Sequence, residues 1–334
     1  MNNNSDEKID FVLIWVDDGD IEWKKERNKY AGKDPEDLAD YRFRDWENLK
    51  YWFRGVEKFA PWVNNIYFIT CGHYPKWLNL NHPKLKFLKH EDYIPEEYLP
   101  TFSANPIELN FHRIKDLEEK FVFFNDDMFL INNVKKEDFF ENNLPKYIAA
   151  LNTLNIEDNL FAHIMLNDVQ IVNKYYNKNK SIQNNFSKWF TPKYGLSWLA
   201  KTLLLMPFSR FECFRNSHMP APILKSTMKE LWEKEYEKFD QTSRNKFRAI
   251  TDVNQYVVSW YDIAKGNFLP ANKKSGEYFR VSATNKKIVD TISNQKRKLI
   301  CINDTKENID FEKVKKEINN SFEKILSKKS SFEI

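Results

Sequence analysis

The sequence predicts an α/β fold: a mostly parallel or mixed central sheet with flanking helices, and a helical C-terminal part. Three observations predict it. Near-continuous apolar runs at 9–16 (IDFVLIWV) and 121–124 (FVFF) have the character of strands buried on both faces. Helical patterns alternate with such runs up to residue 130, as βαβ units require. From residue 227 onward three segments carry apolar residues at helical spacing.

In order along the chain, the first strand ends in the acidic turn Asp17-Asp18-Gly19-Asp20, and the charged residues 22–45 read as loop. Leu49, Phe53, Val56 and Phe59 recur at helical spacing over 46–60, and Ala60-Pro61 stops that helix. Residues 66–70 and 85–88 read as two short strands. Ile107, Phe111, Ile114 and Leu117 align on one face of a helix expected over 104–119. The run Phe121 to Phe124 is then a strand that ends in Asn125-Asp126-Asp127. A less regular insertion, rich in Asn, Lys and aromatics, spans about 155–215. Thr227 with Glu230, and Asp252 with Gln255, have capping-box spacing and predict two helix starts. The first helix would bury Met228, Leu231 and Phe239; the second carries Val253, Tyr256, Val257 and Trp260. Phe311, Val314, Ile318, Phe322 and Ile325 line one side of a lysine-rich amphipathic helix over 307–328. Residues 1–306 thus read as a single α/β domain and 307–334 as an appended helix.

With 334 residues the chain can bury a sizeable core. The net charge of +4, from 52 basic and 48 acidic residues, argues weakly for an anionic partner and against nucleic acid. Cys71, Cys213 and Cys301 are odd in number and far apart, which suits a reducing cytosol better than a disulfide framework. Residues 1–8 are polar and include Asp6 and Glu7, unlike a signal peptide, and no apolar run approaches the roughly 20 residues that span a bilayer. The segment 189–211 mixes Trp, Phe and Leu with Lys193, Lys201 and Arg210. It reads either as buried core or as an interfacial element resting on anionic lipid, and the tail helix has the same two readings.

Asp126 and Asp127 follow a buried strand, where α/β proteins bind ligands. They are either an Asx turn or a site in which a divalent cation compensates the charge. His218 precedes Pro220 by two residues in a loop, structural or functional, and Arg248 and Asp252 stand at ion-pair spacing. Asn303-Asp304 ends another short apolar run. Glu108 and His112, four apart, read as a surface pair or a helper to the site. GxxxxGK[ST], GxGxxG, GxSxG and HExxH are absent. Carboxylates at strand ends, a loop histidine and an arginine suit transfer at a phosphate.

Four blocks in order resemble the Stealth family of sugar-phosphate transferases: 9–23 (IDFVLIWVDDGDIEW); 41–70 with 102–114 (FSANPIELNFHRI) and 121–130; 218–235 (HMPAPILKSTMKELWEKE) with 239–255; and 301–307 (CINDTKE). The resemblance implies a nucleotide-sugar transferase-like fold and transfer of hexose 1-phosphate from a UDP-sugar to a hydroxyl of a lipid-linked glycan. UMP is released and a phosphodiester enters a capsule or similar bacterial polysaccharide. It implies His218 as general base, Arg248 as phosphate clamp, and Asp127 with Asp126 as the site of Mg2+ or Mn2+ and diphosphate. Asp252 and Asp304 are implied as supporting metal carboxylates, and Asp17, Asp20, Asn125 and Asn303 as donor-pocket residues. The expected place is cytoplasmic, peripheral on the inner face of the membrane. The alternatives are a metal-dependent glycosyltransferase that releases UDP and a non-enzymatic glycan-binding protein.

Overall fold

A computed structural model describes residues 7–17, 19–31, 44–155 and 160–334. Its strands are β1 (Asp10–Ile14), β2 (Ile66–Thr70), β3 (Leu85–Lys89), β4 (Lys120–Phe124), β5 (Met128–Leu130), β6 (Phe140–Glu141), β7 (Leu144–Tyr147), β8 (Leu151–Asn152), β9 (Cys213–Phe214), β10 (Ala221–Leu224), β11 (Leu269–Pro270), β12 (Gly276–Arg280) and β13 (Leu299–Asn303). Its α-helices are α1 (Ile21–Tyr30), α2 (Leu49–Phe59), α3 (Ala104–Leu109), α4 (Leu160–Tyr175), α5 (Lys178–Asn184), α6 (Phe186–Trp189), α7 (Leu196–Leu204), α8 (Lys225–Lys234), α9 (Tyr236–Arg244), α10 (Tyr256–Lys265), α11 (Lys286–Ser293) and α12 (Phe311–Ile325).

The central sheet has the order β10-β4-β1-β2-β3. β1 to β4 are parallel, with Phe11 opposite both Ile66 and Val122, and β10 is antiparallel to β4. Because side chains alternate along a strand, one sequence run feeds two cores. Phe11, Leu13, Phe68, Val122 and Phe124 join one with α2, α11 and α12, while Val12, Tyr67, Ile69, Phe121 and Phe123 join the other with α3 and α8 to α10. A third core gathers Val169, Val172, Ile182, Trp189, Phe214 and Trp260. α2 approaches β5 so closely that a Cβ on Gly55 would stand 2.8 Å from the Leu130 carbonyl oxygen, so only glycine fits there.

Several elements differ from the sequence reading. Residues 21–30 are helical because Asp20 caps them, its carboxylate accepting from the Glu22 and Trp23 N–H groups; Asp18 and residues 32–43 of the expected turn and loop lie outside the described residues. The helix expected over 104–119 ends at Leu109, where the Asn110 amide donates to the Pro106 carbonyl at 2.8 Å and a 3-10 turn, Phe111–Arg113, follows. α8 begins at Lys225, so Thr227 is no cap; its hydroxyl donates to Asp262, and Glu230 pairs with Lys234 and Lys265. Phe239 belongs to the separate α9. α10 begins at Tyr256, after Asp252 has turned its carboxylate elsewhere. The insertion holds four helices, α4 to α7, around the third core, outside the undescribed residues 156–159. The tail helix buries Val314, Ile318 and Phe322 against the first core, so its apolar face is covered by protein. Among the described residues no helix is long and apolar enough to cross a membrane.

Candidate active site

The parallel strands bring their carboxyl ends to one edge, and the connection order reverses between β1 and β4, the place where open sheets form a ligand crevice. Asn125-Asp126-Asp127 leaves β4 there. β5 pairs antiparallel with β13, Met128 opposite Cys301, and the Ile302 N–H donates to the Asp127 carbonyl at 2.8 Å. That register sets Cys301 and Asn303 beside Asp127. β10 runs against β4, with Ala221 opposite Phe123, so the segment entering it carries His218 to the same edge.

Asp127 Oδ2 is where these converge. It accepts from Cys301 Sγ at 3.2 Å and Asn303 Nδ2 at 3.3 Å, and lies 3.2 Å from His218 Nε2. The other imidazole nitrogen, Nδ1, is 2.8 Å from the Tyr256 hydroxyl. His218 has φ of +35°, a region an L side chain rarely occupies, and its N–H donates to Asn216 Oδ1 at 2.9 Å. Backbone strain of this kind persists where surrounding bonds fix it.

Burial opposes ionisation of Asp127, yet the hydrogen bond and charge of His218, with Cys301 and Asn303, hold its carboxyl below the ordinary value. Burial likewise opposes charge on His218, but Asp127 outweighs it and the imidazole pKa is raised. The pairing thus favours the imidazolium on His218 and the carboxylate on Asp127. Asp126 has no such partner: burial, then repulsion from Asp127, pushes it up to about 7. Burial also pushes Glu108 to about 7, with Arg248 pulling the other way.

These groups line one cleft of about 450 Å³. It brings together Asn125, Asp126, Asp127, His218, Arg248, Asn303 and Asp304 of the expected set, and adds Trp15, Arg44, Trp46 and Glu108. Asp304 arrives already paired: Arg44 Nε is 3.2 Å from its Oδ2, Arg44 Nη2 donates to Oδ1 at 3.2 Å, and Trp46 Nε1 donates to Oδ2 at 3.2 Å. A metal at Asp304 would have to displace that guanidinium.

Three expected site residues face elsewhere. Asp20 caps α1 and is 3.3 Å from His73 Nδ1, while Asp17 accepts from the Gly19 N–H at 2.8 Å, and neither lines the cleft. Asp252 is fully buried, and its oxygens accept from Asn245 Nδ2 at 2.7 Å, Asn105 Nδ2 at 2.9 Å and the Ala249 N–H at 3.0 Å. It ties α3 to the loop that carries Arg248 and does not line the cleft. Asp252→Ala is accordingly expected to destabilise the fold by about 2–4 kcal/mol, through stranded buried donors, read as a lower urea midpoint. Of the Glu108 and His112 pair, only Glu108 faces the cleft; the His112 ring lies 5.4 Å from Trp232.

A hard divalent cation fits what remains. Among the described residues Asp127 Oδ1 is buried without a hydrogen-bond partner, and burial with repulsion from Asp127 outweighs the pull of His218 on Asp126. Asp127, His218 and Cys301 place one ligand atom each within 4.8 Å of one another. Burial pushes the Cys301 thiol well above its ordinary value, so it serves as a donor to Asp127 and leaves carboxylate oxygens for the ion.

Two family models match the chain: Stealth protein CR2, conserved region 2, over residues 42–148, and Stealth protein CR3, conserved region 3, over 217–257. The sequence is 45% identical to a capsular polysaccharide phosphotransferase, WcwK, of Streptococcus pneumoniae over 330 residues, 98% of each chain. It is 42% identical to the receptor polysaccharide phosphotransferase WefC of Streptococcus gordonii, across 98% of this chain and 99% of that one. An exopolysaccharide phosphotransferase, cps2G, of Lactiplantibacillus plantarum is 36% identical across 97% and 96%. Because the matched regions contain Asp126, Asp127, His218 and Arg248 and the identity runs the length of the chain, this protein belongs to the Stealth family, alongside those polysaccharide phosphotransferases.

Proposed function

We propose that the protein is a hexose-1-phosphate transferase that takes its donor from a UDP-sugar, passes the phosphosugar to a hydroxyl of a lipid-linked glycan, and releases UMP during assembly of a capsule or similar exopolysaccharide. The observation that carries this reading is the convergence on Asp127: a carboxylate with one uncommitted buried oxygen, paired with His218 and sharing a cleft with Arg248. An ordinary sugar-binding cleft has no use for such a charge arrangement, whereas a diphosphate does.

The acceptor oxygen attacks the β-phosphorus, and the bond from that phosphorus to the bridging oxygen of UMP breaks. The sugar keeps its bond to phosphate at the anomeric carbon. In its neutral form His218 receives the acceptor proton at the ring nitrogen facing Asp127. Tyr256 fixes the ring from the other nitrogen. Arg248 holds the oxygens of the transferred phosphoryl group, and Glu108 sets the charge around it. Mg2+ or Mn2+ bound through Asp127 and Asp126 would neutralise the diphosphate and the departing monophosphate. Ionising Asp126 must precede that binding, so the apparent metal affinity is expected to weaken as pH falls below about 7.

Arg248→Lys is expected to lower kcat/KM at least about tenfold, because an ammonium cannot hold two phosphate oxygens in one plane. The deciding experiment incubates the protein with Mg2+, a panel of UDP-hexoses and lipid-linked acceptor, and identifies the nucleotide released. UMP dependent on metal and acceptor supports the proposal; UDP would mean glycosyl transfer at the anomeric carbon, and no nucleotide from any donor would leave a glycan-binding protein.

A further inference from the structure

The outer face of α7 is apolar and uncovered. Leu196, Leu203 and Leu204 are 84%, 58% and 76% exposed, and Phe208 just beyond the helix is 50% exposed. Their spacing of seven and eight residues puts the leucines on one face of the helix, with exposed Ala200 between them. Thr202 and Leu205 turn inward instead, the Thr202 hydroxyl accepting from the Leu151 N–H at 3.1 Å. The helix is thus anchored by one side and presents a leucine stripe on the other. A soluble surface seldom exposes so many large aliphatic side chains together without using them.

The charge around the stripe says what covers it. The chain as a whole is nearly balanced, but residues 169–211 contain seven Lys and Arg and no Asp or Glu. Lys174 pairs with Glu235 and Lys178 is buried. Lys180, Lys188, Lys193, Lys201 and Arg210 have no carboxylate within 4.0 Å among the described residues. Arg215 continues this basic zone: its guanidinium lies 5.2 Å from the Trp198 ring of α7, with Nη1 buried and lacking a hydrogen-bond partner. A leucine stripe on a segment so rich in cations is the composition that seats in the headgroup zone of an anionic leaflet.

The stripe is also connected to the chemistry. A second cleft, of about 130 Å³, adjoins the first at His218 and is lined by Tyr147, Arg215, Tyr256, Trp260 and Lys273. Lys273 passes over Gly195, the residue that starts α7, its Cδ 3.7 Å from where a Cβ there would stand. The second cleft therefore leads from His218 toward the N-terminal end of α7.

We propose that the α7 stripe docks on an anionic bilayer leaflet and that the second cleft receives the glycan of the lipid-linked acceptor from that side. This rests on the lipid-linked acceptor of the preceding reading and names the surface that meets the lipid. It excludes the lysine-rich tail helix, whose apolar face is spent on the core.

The test is flotation of the full chain with vesicles of phosphatidylcholine, with and without about 30% phosphatidylglycerol. Wild type is expected to float with the anionic vesicles and at least about tenfold less with the neutral ones. Leu203→Asp with Leu204→Asp should lower that binding on the order of tenfold or more, and Lys193→Glu with Arg210→Glu should do the same, while Lys316→Glu with Lys324→Glu on the tail leaves it unchanged. No binding by the wild type, or undiminished binding by the Leu203→Asp, Leu204→Asp protein, would overturn the proposal. So would a wild-type dimer that this variant converts to monomer in light scattering, since a second copy would then cover the stripe. UMP release with detergent-solubilised acceptor should be equal in the wild type and the α7 variants; its absence from both would sink the reaction assignment and leave the docking result standing.

Discussion

Asp127→Asn is expected to lower turnover at least about a hundredfold with little loss of stability. The substitution keeps shape and removes one charge, and that charge has three dependants in the structure. The imidazole of His218 has its pKa raised because Asp127, helped by Glu108, outweighs burial, so in the variant the His218 pKa should fall. Asp126 is pushed up to about 7 partly by repulsion from Asp127, so it should fall toward its ordinary range. A cation bound there, finally, would lose the carboxylate whose second oxygen accepts no hydrogen bond among the described residues. The fold survives because the amide oxygen can still accept from Cys301 and Asn303, and one of two adjacent like charges is gone. Turnover, the thermal midpoint and an imidazole titration by nuclear magnetic resonance read the three consequences separately. Retained turnover would end the role assigned to Asp127; a His218 pKa that stays raised would end the ion-pair account even if turnover fell.

How far the sequence revealed this site depended on how many physical demands each residue answered. Phe121 to Phe124 feeds two cores at once, so its strand and the crevice beyond it were legible from an apolar run alone. His218, Arg248, Asn303 and Asp304 were marked by motif; the register of β10 against β4 brings His218 to the cleft, that of β13 against β5 brings Asn303 and Asp304, and the loop between α9 and α10 brings Arg248. Asp20 and Asp252 lie outside the cleft, a placement the sequence could not show because an acidic residue near the N-terminus of a helix looks the same whether it caps, crosslinks or binds a ligand. The structure separates these by their donors: Asp20 accepts from two backbone N–H groups and faces His73, and Asp252 accepts from two side-chain amides and one backbone N–H. Tyr256 and Cys301 carried no readable signal, since a tyrosine at the start of an amphipathic helix and a cysteine in an apolar run both resemble ordinary core. Glu108 reads from the sequence as a surface residue or a helper to the site, and its place among apolar neighbours on a helix face, where an acid must be either paired or functional, argues for the second. In the segment 189–211 Trp189, Tyr194 and Phe211 are buried as the core reading expects, while the exposed α7 leucines leave the interfacial reading as a proposal.

His218→Ala is expected to cost about as much turnover as Asp127→Asn, at least about a hundredfold, the range for removing a general base. Tyr256→Phe should cost far less, on the order of tenfold, because it removes the hydroxyl that orients the ring but leaves the ring in place. The wild-type rate should rise with pH beyond the ordinary imidazole range. The sign follows from the pairing: a raised pKa keeps His218 protonated to higher pH, and only the unprotonated ring accepts a proton from the acceptor hydroxyl. In His218→Ala that limb of the profile should vanish, while in Tyr256→Phe it should remain. The alanine variant also retains φ of about +35° at residue 218 without the ring bonds that hold it there. His218→Gly should therefore be equally inactive but more stable by about 1 kcal/mol, since glycine tolerates that conformation. Measuring both variants distinguishes loss of a base from loss of a strained loop. A pH limb that persists in His218→Ala would place the base elsewhere in the cleft, and Glu108, pushed up to about 7 and buried beside Arg248, would be the group to replace next.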